Sequence, residues 1–213
     1  MSKKRVYSFT LVLAGVALIA GATTFPGSGT GAIPDRGASG CGPPAGPPLD
    51  ITFNVAGEPA STPTQIGVEM DVTHSWVGDV TVMLIAPDGT TMAPMFGRTK
   101  ATTDTSCGDS SDLAGTYGFY DLTPNPTNWW DEATANTILT PGNYRATEVG
   151  GAGQIDPAPF VDIDAAFAGV ADPNGTWTLR VTDSGGGDTG TVNSATLFLG
   201  QNVPVELMNF SIE

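Results

Sequence analysis

The chain has 213 residues, with 22 acidic side chains against eight basic ones and a formal net charge of −14. That balance excludes nucleic acid and anionic lipid as natural partners, and one histidine with two cysteines is too poor a ligand set for zinc. The length is enough for one well-cored domain. At the start, Lys3, Lys4 and Arg5 precede an apolar run from Val6 to Ala20, and Ala20, Gly21 and Ala22 make a small-x-small cleavage signal. Residues 1–22 therefore read as an export signal, shorter than a membrane span. After its removal no later stretch is apolar and long enough to cross a bilayer, and the expected location is secreted or in the cell envelope.

Residues 23–48 are rich in Gly, Pro, Ser and Ala and show no apolar periodicity, so they read as an extended linker. The pattern changes at Leu49. Leu49, Ile51, Phe53 and Val55 alternate with polar residues as a first strand. Ile66, Val68, Met70 and Val72 then share one face of a half-buried strand that His74 and Trp76 continue. A turn from Ser75 to Gly78 leads to Asp79 and to the run Val80 to Ala86, which is apolar on both faces and reads as central. Pro87, Asp88 and Gly89 close it, with Pro presetting φ and Gly free to take φ > 0. Thr90 to Phe96 returns as a further strand.

Between Gly97 and Phe167 the signal is weak. A polar loop carries Cys107, short aromatic islands include Trp129 and Trp130, and Asp131 to Ile138 alone suits two turns of helix. A second sharp pair follows. Trp177, Leu179 and Val181 alternate with threonines and Arg180, then Asp183 to Gly190 forms a Gly-rich turn, and Val192 to Leu199 returns. Both pairs read as hairpins folded back on a short polar turn. Residues 202–213 suit a last strand. Short strands, many turns and almost no helix imply an all-β, antiparallel sandwich over residues 49–201.

These two pairs resemble the P domain (P/Homo B domain) of proprotein convertases. The first signature is carried by Thr73, His74, Trp76, Gly78, Asp79, the strand Val80 to Ala86, and Pro87 to Thr90. The second is carried by Asn174 to Trp177, Leu179, Val181, Asp183, Asp188, Gly190 and Thr191. The resemblance implies a jelly-roll sandwich of eight or nine strands, similar to galactose-binding-like domains, in which His74, Asp79, Gly89, Trp177 and Asp183 are structural motif residues. It also implies association with subtilisin- or kexin-like serine proteases. Ala195 departs from the family, whose closing strand usually carries a Trp there; Trp129 or Trp130 is the expected substitute.

The chemistry on offer is limited. A Ser/His/Asp triad needs a reachable histidine, and His74 sits at the end of an apolar strand face, as a hydrogen-bonded structural residue would. Asp79 or a nearby backbone group is its expected partner. No catalytic residues are assigned. Asp183 and Asp188 flank a Gly-rich turn, and with Asp79 they offer hard oxygens suited to calcium; the competing reading has Asp183 and Asp79 accepting backbone N–H bonds in their turns. Trp129 and Trp130 suit a glycan-stacking platform on one reading and core packing on the other. Cys41 and Cys107 suit one disulfide in an exported chain, with two free thiols as the alternative. The sequence thus points to an exported, non-catalytic module. Its partner would be a protease, an envelope component or a glycan.

Overall fold

The computed structural model describes residues 23–121 and 127–200. The export signal and the tail strand expected over 202–213 lie outside those residues. Ten strands are described: β1 (Thr23–Ser28), β2 (Gly31–Ile33), β3 (Leu49–Val55), β4 (Gly67–His74), β5 (Val80–Ile85), β6 (Met92–Gly97), β7 (Leu113–Tyr120), β8 (Gly142–Tyr144), β9 (Gly175–Asp183) and β10 (Gly190–Leu199). Two single-turn helices, α1 (Trp129–Glu132) and α2 (Ile163–Ala166), interrupt them.

The strands run in the order β6-β5-β9-β3-β1-β10-β4-β7-β8, with β2 alongside β10. β1 is the seam. Its first half pairs with β10, from Thr23 opposite Leu199 to Pro26 opposite Thr196, and its end pairs with β3, at Gly27 opposite Phe53 and Ser28 opposite Thr52. On one side of the seam lie β3, β9, β5 and β6; on the other lie β10, β4, β7 and β8. The pairings are antiparallel except β7 with β8. The result is a β-sandwich of the jelly-roll-like class. Inward residues of both halves, among them Val68, Met70 and Leu197 from one and Ile51, Val82 and Leu179 from the other, belong to a single buried cluster.

The alternating runs form strands where the side-chain period places them, because each has one face to bury. Their partners differ from expectation. Neither sharp pair is a hairpin. β4 pairs with β10 while β5 pairs with β9, so the two strands of each pair lie in opposite halves of the sandwich. The turns 75–79 and 184–189 are therefore arches between layers, and each arch supplies the neighbour the other needs. β5 is flanked by β6 and β9, one place from the end of the order rather than at its centre. Its outward apolar residues, Met83 and Ile85, stand opposite Pro94 and Met92 of β6.

The stretch 23–48 is not a free linker. It carries β1 and β2, and Phe25 and Ile33 are buried in the core. Gly27 permits the close approach of β1: a Cβ there would lie 2.7 Å from Ile51 and 3.1 Å from the carbonyl oxygen of Ala195. The corner beside Ala195 is thus closed by the crossing strand. The ring partners of Trp129 are Phe96, Tyr117, Phe119 and Tyr144 on β6, β7 and β8. The expected helix over Asp131 to Ile138 is replaced by α1, which Asn128 caps by accepting the Trp130 N–H at 2.9 Å.

Leu179 lies between Ile51 and Leu84 on neighbouring strands and is fully buried. Leu179→Ala is expected to destabilise the chain by about 2–5 kcal/mol, read as a lower urea midpoint at an unchanged slope.

Candidate functional site

The two arches meet at one end of the sandwich. Register puts Gly190 opposite His74 and Val80 opposite Asp183. His74 closes β4 in one layer and Asp183 closes β9 in the other, both inward-facing. Their side chains meet at 3.1 Å, Nε2 to Oδ2, with no exposed surface on either. The Trp76 N–H donates to His74 Nδ1 at 3.1 Å, so the ring proton sits on Nε2 and is donated to Asp183. The other oxygen of Asp183 accepts the Gly185 N–H at 2.9 Å. His74 thus pairs with Asp183 rather than Asp79, across 109 residues of sequence. Gly190 is needed here, because a Cβ would strike the imidazole and the Thr73 carbonyl.

Asp79 has a different environment. It is 2 % exposed, and its Oδ1 has no hydrogen-bond partner. Its carboxylate packs against the Cα of Gly185, where any Cβ would collide with it. Burial pushes the Asp79 carboxyl up to about 7, helped by the negative charges of Asp183 and Asp188; His74 and Arg98 pull the other way more weakly. Asp188 is half-buried at the mouth of the arch, where its Oδ1 accepts the Ser75 hydroxyl at 3.0 Å.

A strap formed by residues 35–46 crosses this end. Gly42 and Gly46 donate their N–H groups to the carbonyls of Ser184 and Asp183 at 2.8 and 2.7 Å. Cys41 bridges to Gly185, and Arg36 donates to the Ser184 carbonyl at 3.3 Å. Cys41 and Cys107 form the expected disulfide, with Cα atoms 5.0 Å apart. Arg98, only 6 % exposed, donates through Nη2 to the carbonyls of Thr103, Asp104 and Ser106 and so organises the loop that carries Cys107. Sequence reasoning missed Arg98 and Gly185. The only available hint for Arg98 was a rare cation at the end of a strand run, beside the cysteine loop.

Each predicted site residue can now be placed. His74, Asp79, Asp183 and Asp188 come together. In this arrangement both oxygens of Asp183 are engaged, Asp188 faces the mouth, and among the described residues no group of three or more His, Cys, Asp or Glu side chains is arranged to hold a metal ion. Trp129 and Trp130 are both fully buried, so neither offers a stacking platform for a sugar. α1 turns both rings inward, and Trp129 Nε1 donates to the Thr99 hydroxyl at 2.9 Å. Trp177 is buried, with its indole N–H donated to the Pro173 carbonyl. Gly89 takes φ +70° in its turn, whose Asp88 accepts the N–H groups of Thr90 and Thr91.

Chemically the cluster is closed. A general base must reach a proton on a substrate or nucleophile, yet both nitrogens of the buried His74 ring are already bonded. It holds two layers together instead.

Residues 63–113 match the family model of the proprotein convertase P-domain; that stretch includes His74, Asp79, Arg98 and Cys107. Among solved structures, the chain is similar to the serine protease of Aeromonas sobria, at 15 % identity and a TM-score of 0.37, over 84 % of this chain and 27 % of that one. It is similar also to the Aeromonas sobria serine protease (ASP) and chaperone (ORF2) complex, at 14 % identity and 0.36, over 85 % and 27 %. The chain spans about a quarter of the length of those solved chains. No curated protein matches it.

Two outcomes follow from this geometry. Asp183→Asn replaces the charged acceptor of the neutral His74 ring and of the Gly185 N–H by an amide with one acceptor, and is expected to cost about 1.5–3 kcal/mol in chemical denaturation. For Asp79 the folded-state pKa is raised from 3.8 to about 7, so the folded chain binds its proton more tightly than the unfolded one. Its contribution to stability is greatest below pH 3.8, falls as the pH rises to about 7, and is constant above that. Asp79→Asn should therefore raise Tm by roughly 5 °C at pH 8 and by much less at pH 4, in thermal melts across that range.

Proposed function

We propose that this chain is a non-catalytic, protease-associated P-domain module that acts by binding a protein partner outside the cytoplasm. The partner is a serine protease of the subtilisin or kexin class, or a component of the cell envelope. The observation that carries the non-catalytic part is the His74 ring. It is fully buried, its two nitrogens bonded to the Trp76 N–H and to Asp183, so the one histidine of the sequence is a structural tie.

The family match over residues 63–113 supports the link to proteases. The disulfide supports an oxidising compartment. Among the described residues no helix is long and apolar enough to cross a membrane. The glycan reading loses its basis with the burial of Trp129 and Trp130.

The test has two arms. The purified, disulfide-bonded chain should hydrolyse casein no faster than buffer; measurable turnover that is lost in His74→Ala but retained in Asp50→Ala would overturn the non-catalytic reading. Used as bait on the native secretome and envelope fraction, the chain should retain a serine protease or an envelope protein. Recovery of neither refutes the partner assignment.

A further inference from the structure

We propose that Asp79 is a proton-operated latch: the strap of residues 35–46 closes over this end of the sandwich when the Asp79 carboxyl carries a proton and loosens when the carboxyl is ionised. The proposal rests on local geometry and does not depend on the partner assigned above.

Three observations converge. First, Asp79 is a buried carboxyl whose Oδ1 finds no donor, an arrangement that a neutral acid tolerates far better than an anion. Second, its cover is the segment 183–186, packed so closely that Gly185 has no room for a side chain against the carboxylate and Gly186 none against the backbone of Ala38. Third, the strap is pinned to that same segment. Gly42 bonds the Ser184 carbonyl, Gly46 the Asp183 carbonyl, and Cys41 bridges to Gly185.

The groups that face Asp79 do not neutralise it. Asp183 at the end of β9 and Asp188 in the arch are like charges. His74 at the end of β4 has its donor turned to Asp183. Arg98, after β6, spends Nη2 on three backbone carbonyls while its Nε, like that of Arg36 in the strap, has no partner. Ionised Asp79 therefore needs water, and the way to admit water is to lift the 183–186 segment and the strap with it. The Cys41–Cys107 disulfide limits how far the strap can travel, so opening is local and reversible. The residues that looked like calcium ligands respond on this view to protons.

Hydrogen exchange read by NMR on the intact disulfide-bonded chain tests the latch. After correction for intrinsic exchange, protection at the Gly42 and Gly46 amides should fall between pH 6 and pH 8 by about tenfold or more, since one linked proton changes an opening equilibrium by up to tenfold per pH unit. Amides of β4 and β7 should hold their protection. In Asp79→Asn the Gly42 and Gly46 amides should stay protected at both pH values. Unchanged protection at those two glycines in the wild-type chain overturns the latch, and this comparison stands even if the variant does not fold. An equal loss throughout β4 and β7 also overturns it, because opening would then be global. So does the same pH slope in Asp79→Asn, or a restoration of protection at pH 8 by calcium chloride alone.

Discussion

Two arches that must complete each other dictate this structure. Each sends one strand into each layer, so neither layer can form from one arch. β4 finds its hydrogen bonds on β10, and β5 finds them on β9. Because both arches turn at the same end, their polar turn residues are forced together there. His74 and Asp183 are inward residues of opposite layers, and with no water between them they must bond each other. The acidic crowding of this end is thus a by-product of topology, since strand termini that satisfy register have no choice of neighbours.

The N-terminal segment responds to that crowding. Residues 35–46 lie across the arch, take up carbonyls that would otherwise face the solvent, and are tied down by the Cys41–Cys107 disulfide. Upstream of them, β1 stitches the layers by changing partner from β10 to β3 at Gly27. A segment with few apolar residues is ordered because each of its short stretches is borrowed by a neighbour: Phe25 and Ile33 by the core, Gly42 and Gly46 by the second arch.

Much of the fold was legible in the sequence. Strict alternation located β3, β4, β5, β9 and β10, and the turn chemistry of Pro87, Asp88 and Gly89 placed the start of β6. What alternation reports is which face a strand buries, and it says nothing about the strand it pairs with. Two runs joined by a short polar turn look alike whether they fold back in one sheet or arch across two, which is why the pairs read as hairpins. β1 and β2 were invisible for another reason: they are too short, and too broken by Pro and Gly, to show a period at all. The site was legible in part. The sequence set His74 beside Asp79 and grouped Asp79 with Asp183 and Asp188, but it did not pair His74 with Asp183, because that contact depends on long-range register. Trp129 and Trp130 stood between a sugar platform and core packing, since a strand would splay the two rings and expose only one; the single turn of α1 buries both, as the packing reading has it.

The reciprocal pairing also sets an order of events during synthesis. As the chain is made, β5 can pair at once with β6 and β4 soon after with β7, but the strands that join these pairs to the rest of their layers, β9 and β10, are the last of the described strands to appear. The two layers are therefore completed late, since these distant pairings pay their entropic cost before they are rewarded.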